Sequence, residues 1–358
     1  MEILSRLPVL SLLQFKCVSK FWKAFISDCY FKMKHLSHAK NDQNSQKFLT
    51  SQMCMDKDDM FNFYRSSLSS VQVVEDEQKL DCPSSCKPVN CMLFCCCDGL
   101  VLLAVCDRLV EHLLLWNPST RESILLPHPE SPLIDCVFGM GYDATSDDYK
   151  ILTVNLNRIR PGISAEILAL KSGSWRKNGK YPTGSHDVCG FMDCGTDSLA
   201  FVHGAFHWLG LSLYYTILSF DISNEVYGEI PLLERMYNIF NQRFIERGVS
   251  VLGGMLCFYS TYHNLGPGTF NLWVMKDYGI KESWVPFLKI QDTNLVYSVK
   301  PKYMFVDGAV LLCCKHTRLT GSVYRTSRES FKLWPQCSPT KKQGMAYTES
   351  LISPKLLI

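Results

Sequence analysis

The chain has 358 residues, 47% of them hydrophobic, which is material for one large domain or two of ordinary size with packed cores. Its 37 Lys and Arg stand against 34 Asp and Glu, a net charge of +3; the short basic pairs (Arg158 with Arg160, Arg176 with Lys177, Lys341 with Lys342) are too small to form a nucleic-acid-binding stripe. No apolar run reaches the ~18 residues a membrane helix needs, and the start Met1-Glu2-Ile3-Leu4-Ser5-Arg6 lacks the pattern of a secretory signal. The expected location is therefore cytoplasmic or nuclear, with the 17 cysteines reduced.

Residues 1–38 read as helical. Leu10, Leu13, Cys17, Phe21 and Phe25 recur at helical steps, and Leu12, Phe15, Val18, Trp22 and Ile26 follow as a second apolar face. Pro8 ends or kinks the turn before it. An ordinary surface helix carries one apolar stripe. A helix with two must bury one against its own chain and the other against something else.

From residue 48 onward the period becomes strand-like, with short apolar runs separated by Gly, Pro, Asn, Asp and Ser. Residues 75–90 read as a polar surface loop, and residues 233–247 are ambiguous between helix and strand. Turn-plus-strand units recur at Asp98-Gly99, Gly139 to Gly141, His203-Gly204, Gly253-Gly254 and Asp307-Gly308. The strands that follow carry Trp116, Leu170, Phe220, Trp273 and Tyr324, at intervals of 54, 50, 53 and 51 residues. A period near ~50 in a strand-rich chain predicts kelch-like blades, small sheets that stack to share a core. A sixth blade is expected from Phe48 to Ser67 combined with the strand near Met345 to Ile352, pairing the two ends and removing exposed edges. The expected fold is mostly β: a short N-terminal α-helical segment (1–38), then a kelch-like β-propeller of about six blades (45–358).

Catalytic patterns do not survive inspection. The chain has no Gly-x-Ser-x-Gly elbow, His-Glu-x-x-His or phosphate loop. Gly139-Met140-Gly141-Tyr142-Asp143-Ala144 fits the loose dinucleotide pattern, but a turn into a strand follows it where a helix is needed. His203 and His207 have the spacing of a helical metal pair; along a strand they would sit ~13 Å apart. Cys95-Cys96-Cys97 and Cys313-Cys314 alternate across sheet faces, and Cys82 with Cys86 has no second pair at zinc spacing, so the cysteines read as buried apolar residues. The reading is a non-enzyme with no cofactor and no metal; a propeller enzyme with an axial site is the class set beside it. Asn117-Pro118-Ser119-Thr120 reads as an Asx-turn, Trp116, Trp208, Trp273 and Trp284 as inter-blade core, and Arg121 as the partner of a carboxylate.

The stretch Glu2-Ile3-Leu4-Ser5-Arg6-Leu7-Pro8-Val9, with Ser11 to Lys20 and Trp22, resembles the F-box of plant F-box proteins. Cys97-Asp98-Gly99-Leu100, Trp116 to Arg121, Gly141-Tyr142-Asp143 with Asp148-Tyr149-Lys150, Gly173 to Arg176, and Trp273 to Gly279 with Ser283-Trp284 resemble the F-box-associated, kelch-related interaction domain. The set is in order and spans nearly the whole chain, and it is similar to S-locus F-box-like proteins among others. The resemblance implies a substrate-recognition adaptor of an SCF-type ubiquitin ligase. It would dock a Skp-type adaptor, and through it a cullin ligase, using Leu7, Pro8, Leu12, Leu13, Val18 and Trp22. It would hold an unknown protein substrate on the propeller, and no nucleic acid or membrane is implied. Substrate contacts are expected at loops 156–164, 184–197 and 261–269. Family members carry a further Leu-Pro and an acidic residue upstream, so this F-box reads as clipped at its N-terminus, with docking weakened. The alternative is a protein-binding module uncoupled from the ligase.

Overall fold

Ser19 and Asp28 cut the N-terminal apolar stretch into separate helices. The structure is a computed structural model that describes residues 2–53, 61–68, 77–84, 88–107, 110–155, 165–178, 198–210, 216–237, 243–263, 268–292, 298–315, 321–326 and 342–358. After a 3₁₀ turn at Leu4–Arg6, α1 (Val9–Phe15) starts at Pro8, α2 (Lys20–Ser27) follows, and α3 is Cys29–Asn41. Ser19 is extended (φ −159°), and its Oγ accepts from the Trp22 amide at 3.2 Å; Asp28 does the same for Phe31 at 3.1 Å. Each cap satisfies an N–H that the helix start would otherwise leave open. The single two-striped helix expected over residues 10–26 is therefore two helices, and the break re-sorts its stripes. Val9, Leu12, Ile26 and Phe31 form a buried core with Leu351, while Phe15 and Val18, from the same stripe as Leu12, face outward.

The chain divides into two compact units, residues 1–128 with 342–358, and residues 129–341. The first holds the helices and two sheets. Strands β1 (Gln46–Met53), β2 (Phe61–Ser67), β3 (Gln78–Leu80) and the C-terminal β23 (Lys342–Thr348) form one, in the order β23-β1-β2-β3. The antiparallel register runs from Gln46 opposite Thr348 to Gln52 opposite Lys342, so the sheet built from both ends of the chain is present as expected. The loop expected at 75–90 gives way at β3, because Leu80 pairs with Phe63 and is buried against it. Strands β4 (Asn90–Cys97), β5 (Leu100–Cys106), β6 (Glu111–Asn117) and β7 (Glu122–Leu125) make the second sheet. The two share a core in which Phe63 meets Trp116 edge-on, 5.4 Å between centroids.

Residues 349–352 tie this unit together. Asn117 is fully buried; its Oδ1 accepts from the Ser119 and Thr120 amides (2.8 and 3.3 Å), the Asx-turn read from sequence, and its Nδ2 donates to the Ser350 and Ile352 carbonyls (3.1 and 2.8 Å). Leu351, between them, enters the helical core. Lys40 of α3 pairs with Asp98 at 2.6 Å. Arg121 finds its carboxylate in Asp81, at 3.2 Å, an exposed pair of small worth.

The second unit stacks four sheets: β8 (Cys136–Asp143), β9 (Asp148–Asn155), β10 (Ala165–Ala169) and β11 (Ser174–Asn178); β12 (Ala200–Val202), β13 (Ala205–Gly210), β14 (Thr216–Asp221) and β15 (Tyr227–Pro231); β16 (Arg243–Leu252), β17 (Met255–His263), β18 (Gly268–Met275) and β19 (Trp284–Asp292); and β20 (Val299–Met304), β21 (Val310–Lys315) and β22 (Gly321–Arg325). The ambiguous stretch after Leu233 is one helical turn, α4 (Glu234–Tyr237), leading into β16. Neighbouring sheets share cores along the chain: Val137 and Ile167 with Phe206 and Phe220, Ile217 and Ile230 with Phe258 and Trp284, Leu272 and Phe270 with Val310 and Leu312. Trp208 and Trp284 are buried as expected, and Trp273 is only half-buried. The dinucleotide-like glycines lie inside β8, where Cβ atoms at Gly139 and Gly141 would come within 2.7 and 2.4 Å of Phe206 and Phe201. Their role is close sheet packing.

The repeat read from sequence has a geometric cause. Trp116, Phe220, Trp273 and Tyr324 lie on the third strand of their sheets, and Leu170 follows the third strand directly. At Asp98-Gly99, His203-Gly204 and Gly253-Gly254 both residues have positive φ, the conformation two-residue hairpins favour.

Gly99 combines a left-handed φ of +82° with a Cβ position 2.3 Å from Ser350 Oγ, whereas Gly308, at φ +81°, has open space around it. Gly99→Ala is expected to destabilise the protein by about 3 kcal/mol and Gly308→Ala by about 1 kcal/mol. Thermal melts of the two variants compare them, and equal losses would mean that the C-terminal segment does not press on this turn.

Candidate functional site

α1 and α2 bury Val9, Leu12 and Ile26 fully, and several other apolar side chains on and between them reach the surface. Leu10 is 57% exposed, Phe15 36%, Val18 68% and Phe21 72%. Phe21 stacks on Phe25 (6.2 Å between centroids, 15° between planes), and Trp22 bridges Phe15 and Phe25 at 5.9 and 6.3 Å. The exposed rings thus stand on a packed aromatic base. The segment is rich in cations: residues 2–41 hold Arg6, Lys16, Lys20, Lys23, Lys32, Lys34 and Lys40 against Glu2 and Asp28. Partial burial holds the Lys16 ammonium below its usual range. Exposed large apolar side chains among polar ones are what protein-docking surfaces offer.

The residues assigned from the resemblance separate on this surface. Pro8 and Val18 are exposed; Leu7, Leu13 and Trp22 are half-buried against the helical core. Leu12 is fully buried, facing Ile26 and Phe31. Leu10, Phe15 and Phe21, outside that set, are exposed members of the apolar stripes visible in the sequence.

A second polar cluster lies in the other unit. His203 is not in a strand but in the β12–β13 turn at φ +51°, so the ~13 Å separation expected along one strand does not apply. Both histidines meet Tyr278: the His203 ring lies 4.6 Å from it, and the Tyr278 hydroxyl is 2.7 Å from His207 Nε2. His207 Nδ1 donates to the Ala200 carbonyl at 3.2 Å. Burial pushes the His207 pKa down from 6.5 to about 4, and in the neutral ring that results Nε2 accepts from the Tyr278 hydroxyl. Among the described residues no group of three or more His, Cys, Asp or Glu is arranged to hold a metal ion. The buried thiols of Cys95, Cys136, Cys257 and Cys314 and the partly buried ones of Cys97 and Cys313 are all pushed up by desolvation, away from nucleophilic use. Of the loops expected to meet substrate, 156–164 and 184–197 lie outside the described residues, and 261–269 is in part the ends of β17 and β18.

With helices, sheets and exposed face in view, comparison with known proteins gives the class. Residues 1–34 match the F-box domain and residues 51–353 match the F-box-associated β-propeller domain. The chain belongs to the F-box proteins that carry this propeller domain. An F-box/kelch-repeat protein of Arabidopsis thaliana is 27% identical over 99% of this chain and 94% of its own length. The F-box protein CPR1 of the same plant is 26% identical over 83% of this chain and 73% of its own. Among solved structures, TolB from Acinetobacter baumannii superposes with a TM-score of 0.53 at 10% identity, over 89% of this chain and 73% of that one, a likeness of fold alone.

Since the folded His207 pKa lies below the unfolded one, the stability this residue contributes is complete above pH 6.5 and is lost as pH falls toward 4. The loss is expected to approach about 3 kcal/mol. Urea midpoints of wild type and His207→Gln at pH 7, 5.5 and 4 isolate it: the gap between the two should depend on pH, and a constant gap would refute the buried neutral state.

Proposed function

We propose that the chain is the substrate-recognition adaptor of an SCF-type ubiquitin ligase, with a Skp-type adaptor seated on the α1–α2 face and a target protein held by the propeller. The observation that carries this is the exposed row Leu10, Phe15, Val18 and Phe21 on an F-box whose own core is already complete. Rings standing on a packed base, in a segment with more cations than carboxylates, suit an acidic partner with an apolar groove, and large aromatics dominate the energetics of such faces. Pro8 and Val18 belong to this contact surface, and Leu7, Leu13 and Trp22 support it from below. The chain's part is to bind and position; ubiquitin transfer falls to other subunits. Among the described residues no helix is long and apolar enough to cross a membrane. Work in the cytosol or nucleus, where thiols stay reduced, belongs to the same reading.

Calorimetry against a plant Skp-type adaptor tests the assignment. Val18→Asp with Phe21→Ala is expected to weaken binding at least about tenfold without moving the melting temperature. Leu12→Ala is expected to lower stability by about 2–5 kcal/mol and to affect binding only through that loss. Unaltered affinity in the surface double variant would remove this face from the interface.

A further inference from the structure

Arg235, on α4, lies over the indole of Trp273 on β18, its guanidinium carbon 5.2 Å from the ring centroid. Together with Tyr262, Phe287, Leu288 and Lys289 they line a cavity of about 420 Å³, within the ~300–1,000 Å³ range of ligand sites. It belongs wholly to the second unit.

The lining states what the cavity accepts. It includes the cations Arg235 and Lys289, both exposed, and no Asp or Glu. Among the described residues no carboxylate pairs with either cation. Arg235 is held over the indole by a cation–π contact, which leaves its forked N–H groups to accept a carboxylate in bidentate fashion. Beside it Trp273 is half-buried and Phe287 is 39% exposed, so two large rings offer an apolar wall. The adjacent sheet edge is irregular beside the cleft. β19 is the outer strand, Pro286 lacks an N–H, and the register slips opposite it between Leu272 and Trp273, which disfavours strand addition at this point. A partner here is read through side chains.

We propose that this cleft recognises an acidic peptide segment of the substrate protein, an Asp or Glu pairing with Arg235 and Lys289 while a neighbouring large apolar side chain lies on Trp273 and Phe287. The inference rests on the adaptor reading and specifies the chemistry of what the propeller captures. It also accounts for Trp273, which the repeat places on the third strand of its sheet but which stays half-exposed where Trp116 is fully buried.

The test is selection of peptides from a randomised phage-displayed library on the immobilised full chain, in parallel with the Arg235→Glu, Lys289→Glu double variant. Both positions are exposed, and the variant's melting temperature confirms that it folds. Wild type is expected to enrich peptides with Asp or Glu beside an aromatic residue or Leu. The same peptides, measured by fluorescence polarisation, are expected to bind the double variant at least about tenfold more weakly and to lose affinity with added salt. No enrichment, enrichment without acidic residues, or enrichment that survives charge reversal overturns the proposal. Skp-type adaptor binding by the same preparations separates the two readings. Failed selection with intact adaptor binding removes this pocket alone; successful selection by a chain that binds no Skp-type adaptor keeps the pocket and removes the ligase role.

Discussion

The pairing of β23 with β1 is the constraint on which the first unit depends. A strand drawn from the far end of the chain supplies seven register pairs to β1, and the residues just after it do further work. Ser350 and Ile352 give their carbonyls to Asn117, and Leu351 sits between them in the helical core. A buried amide that meets four backbone groups is over-determined. It fixes the second sheet and the F-box against the same short segment. The positive-φ turn at Asp98-Gly99 exists to let this segment pass, and Lys40 reaches from α3 to Asp98 at the same place.

The helices show how one short sequence divides its apolar side chains between core and surface. Leu12 and Leu13 are neighbours, yet one is fully buried and the other half-exposed; Phe25 and Ile26 divide likewise. Adjacent positions on one helix point about 100° apart, so each pair splits between the core and the outside. The exposed rings pack on one another, Phe21 on Phe25 within α2 and Trp22 against both Phe25 and Phe15 of α1.

Much of the fold was legible because it is written in spacing. Period-two runs, paired turn residues and the regular return of Trp116, Leu170, Phe220, Trp273 and Tyr324 report the sheets directly, and the C-terminal partner of β1 followed from the need to cover an edge. The small elements were not legible. β3 is three residues whose single anchor, Leu80, makes sense only opposite Phe63. The full burial of Leu12 was not legible for a related reason: hydrophobicity marks a residue for an interface without saying whether that interface is inside the chain or outside it. His203 and His207 were read as one strand, and the left-handed turn that brings both to Tyr278 is a backbone property that a histidine does not announce. The pocket at Trp273 draws its residues from α4, β17, β18 and β19, and no local pattern joins them.

Leu351 is translated long after the helices whose core it completes. During synthesis the N-terminal helices therefore emerge with a gap where Leu351 belongs and with β1 lacking its outer partner. The exposed face of α1 and α2 can reach its final packing only after the propeller sequence has been translated. A chain stopped short of Leu351 would thus present these helices over an unfilled core.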